Sequence, residues 1–376
     1  MKKLNHLLLP IFFITVFFSC QDGANLPEKL PSVSLEEMVG QMIMVGFRGM
    51  SIDEADPSLL SQLDSGLIGS LILFDYDVPT KAYHRNIQSP AQVKLLVAEL
   101  QKHAKIPLLI GIDQEGGVIN RLKPQYGFPK SVSAQYLGDL DNLDTTKYYA
   151  HLSAVTLKNL GINLNFSPVV DMNVNPDNPV IAKYERSYSA DADRVIKHAG
   201  AWIKEHHDLG VISTLKHFPG HGSSAADSHQ GFTDVSNTWT MAELEPFKVL
   251  SKRAGVAVMT AHVFNEKLDS IYPATLSENV IKKILRKEWE FDGLVFSDDL
   301  QMKAVNALFD FETIVKRSIL SGVDVLVIGN NLEYDNNIAR KLRHTVLDLV
   351  RKGELAPNRI KQSYDRVMLA KHQLGL

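Results

Sequence analysis

From Leu35 onward the chain alternates short, nearly continuous apolar runs with longer segments whose apolar positions recur at helical spacing. The runs are Met42–Phe47, Leu67–Phe74, Pro107–Ile112, Ile162–Val169, Val211–Lys216, Val256–Thr260, Leu294–Ser297 and Val323–Ile328. Runs of this length, rich in β-branched residues, predict strands buried on both faces. Helices are predicted over Ala91–His103, Thr145–Leu160, Ala192–Asp208, Glu243–Ala254, Glu278–Trp289 and Phe311–Ser321. Gly161, Gly210, Gly255, Gly293 and Gly322 stand where a helix would stop before the next strand, the place of a left-handed cap. Met42 and Met44 alternate with Ile43 and Val45, a pattern of core packing.

Eight strands alternating with helices predict an α/β fold, a (β/α)8 TIM-type barrel forming a single catalytic domain. A doubly wound open sheet would carry a similar pattern, but the polar residues favour the barrel. Asp113 follows the third run, Lys216 and His217 close the fifth, His262 follows the sixth, and Asp298 and Asp299 follow the seventh. In a barrel all of these lie on the C-terminal rim, where active sites assemble.

The composition fits a protein with a large buried core: 376 residues, 45% hydrophobic and 22% charged. With 40 basic and 43 acidic residues the formal charge is −3, so no overall positive field is available to hold nucleic acid. A weakly charged small molecule fits better. The single cysteine, Cys20, excludes an internal disulfide framework and a multi-cysteine metal site.

Cys20 belongs to a leader. Lys2 and Lys3 precede the apolar stretch Leu7–Phe18, too short to span a bilayer and suited to a signal-peptide core. Ser19-Cys20 then resembles a bacterial lipoprotein processing site. Residues 1–19 are therefore expected to be removed, and 20–34 to form a lipidated cysteine and tether. Residues 35–376 are expected to form the folded body, exported and anchored to a bacterial membrane in the periplasm or cell envelope.

The densest chemical signal is Lys216-His217-Phe218-Pro219-Gly220-His221-Gly222 and its continuation to Asp227-Ser228-His229-Gln230-Gly231. Its proline and glycines forbid a continuous helix, so this is a long loop on a strand end. His217 and His221 have the i, i+4 spacing of zinc ligands, but that spacing faces one way only on a helix, which Pro219-Gly220 removes. The alternative is Asp227 orienting His229 for general acid/base work. Asp298, emerging from a buried strand, is a candidate nucleophile toward an electrophilic carbon such as a sugar C1. Asp299 would point away by alternation and cap a helix over Leu300–Ala307.

These residues carry a family resemblance. The chain resembles the bacterial β-N-acetylglucosaminidases (β-N-acetylhexosaminidases) of glycoside hydrolase family 3 from about Leu35 to its C-terminus. The carrying motifs are Gly40-Gln41-Met42 through Gly46-Phe47, Ile112-Asp113-Gln114-Glu115-Gly116-Gly117, Asn165-Phe166-Ser167-Pro168-Val169-Val170-Asp171, Glu185-Arg186-Ser187-Tyr188, the Lys216–His229 loop, and Phe296-Ser297-Asp298-Asp299-Leu300-Gln301-Met302. The resemblance implies a retaining double displacement in which Asp298 attacks the anomeric carbon, His229 protonates the leaving oxygen and Asp227 tunes His229. It assigns substrate binding to Asp113, Arg121, Arg186, Lys216 and His217, while His262 either lines the pocket or fills the rim. Gly220, Gly222 and Gly231 are expected to free the loop to close over the sugar. One position departs: Val118 stands where the family commonly has arginine. The expected substrate is a glycan ending in N-acetylglucosamine, such as a peptidoglycan fragment, hydrolysed without metal or cofactor by a monomer. Two alternatives stay open: a phosphorylase using phosphate in the second step, and a non-catalytic sugar-binding lipoprotein.

Overall fold

The computed structural model describes Met1 and residues 33–376. The export, lipidation and tether expectations fall on residues 2–32, outside the described residues. Within Ser34–Leu376 the eight apolar runs all become strands of one parallel sheet. They are β1 (Ile43–Gly46), β2 (Ser70–Leu73), β3 (Leu109–Ile112), β4 (Leu164–Asn165), β5 (Ile212–Phe218), β6 (Val256–Thr260), β7 (Val295–Phe296) and β8 (Leu326–Ile328). Each pairs with its successor in sequence, and β8 returns to β1 with Leu326 opposite Ile43. Between β7 and β8 the link is a single bridge, Phe296 to Val325, which completes the barrel.

Strand alternation separates two cores. Met44, Ile72, Leu109, Leu164, Phe166, Met259, Phe296 and Val327 fill the barrel, while Ile43, Val45, Leu71, Ile110 and Val258 face outward to the helices. Phe166 and Phe296 meet edge-on at 5.5 Å. Gly111 leaves them room, since a Cβ there would lie 3.1 Å from the Phe166 ring. The last helix, Pro357–Gln373, packs Val367 and Ala370 against this inner core.

The helices over Pro90–His103, Leu143–Leu160, Ala192–Asp208 and Phe311–Ser321 follow the predicted pattern. Two differ. The segment predicted as Glu243–Ala254 is a 3-10 turn, Met241–Leu244, then a short α-helix, Glu245–Leu250, because Pro246 can occupy only a first helical turn. The segment Asn279–Glu288 is a π-helix. Gly161 and Gly322 cap their helices at φ +78° and +119°, and Gly210 and Gly255 also have positive φ before β5 and β6. Gly293 is not among the left-handed glycines. It serves a close approach instead: a Cβ would lie 2.6 Å from the Phe291 ring and 2.7 Å from the Val256 carbonyl.

Candidate active site

The ends of β3, β5 and β7 converge on a cavity of about 230 Å³ at the C-terminal rim. It is below the roughly 300 Å³ at which sites for drug-sized ligands begin, and so suits one sugar unit. Asp113, Arg121, Arg186, Lys216, His217, His229 and Asp298 all line it. A cleft of about 410 Å³ at the other end of the strands is lined by none of them.

The floor is a charged lattice. Lys216, 2% exposed, sets its Nζ 2.8 Å from Asp113 Oδ1 and 2.7 Å from Glu115 Oε1. Arg186 forks onto Glu115 with two bonds of 2.8 Å. Arg121 Nη2 lies 3.6 Å from Asp113 Oδ2. Burial alone would raise both carboxyls. The Arg186 and Lys216 charges nevertheless hold Glu115 down at about 2, and Lys216 and Arg121 hold Asp113 below the ordinary range. Such charge-assisted bonds fix each donor in place at the cavity.

His217 is locked beside this lattice across a cis peptide from Lys216. Its Nδ1 lies 2.6 Å from Asp171 Oδ2, and its Nε2 lies 3.2 Å from Arg186 Nη2. A guanidinium donating to Nε2 occupies the lone pair that a metal would need. Asp171 also accepts from the His221 amide at 2.8 Å, so one buried carboxylate organises the start of the long loop.

At the loop's far end Asp227 Oδ1 accepts from both the His229 amide and, at 2.9 Å, ring Nδ1. The His229 side chain is half exposed, lines the cavity and bonds Asp227 through Nδ1, which leaves Nε2 as its other ring nitrogen. Asp227 does not line the cavity; it reaches it only through its bonds to His229. The Ser228 carbonyl accepts from the Ala304 amide at 3.2 Å, tying the dyad to the segment after β7.

The expected glycine hinges are corrected. A Cβ on Gly222 would lie 1.7 Å from the Met172 carbonyl, and one on Gly220 would lie 2.8 Å from Glu243 Cβ. Both are packing positions in a buried loop base, residues 216–224, whereas Gly231 has open space around it.

Asp298 is partly buried. Burial would raise its pKa, but the His262, His217 and His229 rings and the Asp299 amide hold it below the ordinary carboxylate range. Asp299 N donates to Asp298 Oδ1 at 2.8 Å, leaving Oδ2 for chemistry. Asp299 turns toward β8, where its Oδ1 accepts from the Gln301 and Gly329 amides at 3.0 Å. Burial raises its pKa to about 6. It does not cap the predicted Leu300–Ala307 helix, which shrinks to Lys303–Asn306, and it still borders the cavity.

His262 is corrected as a sugar-binding residue. It is fully buried, with Nδ1 2.8 Å from Thr275 Oγ1 and Nε2 3.0 Å from the Asp299 carbonyl. It braces the backbone behind Asp298 and is absent from the lining residues. Glu115 and Asp171 sit inside recognised motifs, yet nothing in the sequence pairs them with Arg186 and His217, which lie far along the chain.

A glycosyl hydrolase family 3 N-terminal domain matches residues 34–370. The chain belongs to that family. It is 31% identical over 329 residues to a β-hexosaminidase of Glaesserella parasuis, covering 84% of this chain and 91% of that one. A β-hexosaminidase of Haemophilus influenzae is 32% identical, covering 77% and 80%. Among solved structures, a family 3 β-N-acetylglucosaminidase from Paenibacillus superposes with a TM-score of 0.83 at 33% identity, covering 92% of this chain and 63% of that one. A β-N-acetylhexosaminidase from Beutenbergia cavernae gives 0.77 at 26%, covering 90% and 99%.

Proposed function

We propose that the chain is a retaining exo-β-N-acetylglucosaminidase that removes terminal N-acetylglucosamine from peptidoglycan fragments or related glycans. Its family and its relatives make it a β-N-acetylhexosaminidase; the mechanism, the residue roles and the glycan are our reading. One observation carries it: a single-sugar cavity shared by a low-pKa carboxylate, Asp298, and a His229–Asp227 pair on a separate loop.

In the first step Asp298 Oδ2 attacks the anomeric carbon while imidazolium Nε2 of His229 gives its proton to the leaving oxygen. Asp227 balances the imidazolium. Asp113, Arg186, Lys216 and His217 hold the ring hydroxyls and the acetamido group, and the bond that a ring hydroxyl donates to the Asp113 carboxylate strengthens as positive charge develops on the sugar. Neutral His229 then takes a proton from water, whose oxygen opens the glycosyl ester and restores Asp298. The two inversions together retain the β-configuration. Proton NMR during early turnover of chitobiose and of disaccharide-peptide fragments tests this, and an α-anomer appearing first would exclude it.

A histidine acid/base repels an anion less than a carboxylate does, which supports phosphate as a second acceptor. Formation of sugar 1-phosphate in phosphate buffer would establish that reading. The leader supports export and anchoring to the envelope through lipid on Cys20, which metabolic labelling with palmitate tests against Cys20→Ala.

A further inference from the structure

One buried residue interrupts the exposed end of the long loop. Across residues 225–232 Ser228 alone is buried, 2% exposed between Asp227 and His229. It makes two contacts away from the tip. Its carbonyl accepts from the Ala304 amide at 3.2 Å, and its Oγ lies 3.1 Å from His221 Nε2. The bonds that the Asp227 side chain accepts come from His229 and Gln230, so they orient the dyad internally without placing it over the cavity.

His221 is a fixed point for that placement. Its amide donates to Asp171 Oδ1 at 2.8 Å and its carbonyl accepts from Asn178 Nδ2 at 2.8 Å, which grips the backbone on both sides. The ring is buried and lies edge-on to His217, centroids 5.8 Å apart. Burial holds its pKa down at about 4, so near neutral pH the imidazole is uncharged and carries one N–H. Nδ1 has no partner among the described residues, and a buried N–H goes where an acceptor meets it. The proton therefore sits on Nε2 and is donated to Ser228 Oγ. His221 is not among the residues lining the cavity, so this bond is its contribution to the site.

We infer that the His221–Ser228 bond is the pin that sets where His229 stands, which makes both of them positioning residues for the proton transfer. Ser228 is covalently joined to each member of the dyad, so a shift of its backbone shifts both. Asp171 ties the pin to the sugar floor, because the same carboxylate holds the His217 ring and the His221 amide. Proton donation needs His229 Nε2 within hydrogen-bond reach of the leaving oxygen, and a misplacement of about 1 Å can cost about 100-fold. The inference rests on the proposed role of His229 as the acid.

The test uses the purified full-length protein and a series of aryl N-acetyl-β-glucosaminides, with kcat/KM reporting the first displacement. Ser228→Ala and His221→Leu should each lose about tenfold on the poorest leaving group, because the Ala304 contact remains, and less than about twofold on an activated phenol. The double variant should lose no more than either single one, since both remove the same bond. His221→Gln, which keeps an N–H at similar reach, should recover most of the loss. Ser228→Ala deletes only a hydroxyl and reports even if His221→Leu does not fold. No loss on the poorest leaving group, an equal loss across the series, or losses that multiply in the double variant would overturn the pin. His229→Ala in the same series separates the two layers. If it spares activated phenols and Ser228→Ala does not follow that pattern, only the pin fails; if it slows every substrate equally, the acid role fails and the inference with it.

Discussion

Glu243 offers a prediction whose size follows from the structure. It is 1% exposed under the base of the Lys216–His229 loop, where it accepts from the Ser223 amide at 3.2 Å, and burial raises its pKa from the ordinary 4.5 to about 7. A carboxyl whose folded-state pKa is raised favours folding fully below its unfolded pKa, and that favour is lost as pH rises through about 7. At pH 8 the ionised group therefore costs the fold about 3 kcal/mol relative to a neutral isostere. Glu243→Gln should then match wild type near pH 4.5 and exceed it at pH 8. For a body of roughly 340 residues, where about 0.7 kcal/mol corresponds to one degree, the gain is about 4–5 °C. Thermal unfolding of both proteins across pH 4.5–8 measures this. A Tm difference independent of pH, or a loss at pH 8, would refute the burial argument.

His229→Ala should slow glycosides with poor leaving groups by on the order of 100-fold or more while sparing activated phenols, with Asp227→Asn milder in the same direction; a uniform loss across an aryl series would remove His229 from the acid role. Glu115→Gln leaves Arg186 and Lys216 buried with only Asp113 between them, so it should cost about 3–5 kcal/mol of stability along with most of kcat/KM. Thermal unfolding and steady-state kinetics report the two losses together. Gly222→Ala should fail to accumulate as folded protein, whereas Gly231→Ala should leave folding intact, a contrast readable by circular dichroism and soluble yield.

The barrel was legible because strands buried on both faces write themselves as contiguous apolar runs, and the turn into each helix exposes the rim residues one after another. Asp113, Lys216, His217 and Asp298 could be placed on one rim by topology alone. Contacts across the chain were not legible. Whether Gly220 and Gly222 are hinges or packing positions depends on Glu243 and Met172, which have no marker in the loop's own sequence. His262 follows a strand end as a ligand residue would, and only Thr275 and the Asp299 backbone reveal that both its nitrogens are taken. Gly293 looked like a cap because it follows a helix, although it is set by the Phe291 ring packed against it.

Trapping the glycosyl-enzyme tests the central claim most directly. A slow 5-fluoro-N-acetylglucosaminyl fluoride, incubated with the protein and followed by proteolysis and mass spectrometry, should attach one sugar to a peptide containing Asp298, with fragmentation placing it on that side chain. Attachment to Asp299, or release of free sugar with no adduct under conditions that slow the second step, would contradict the assignment of Asp298 as the nucleophile.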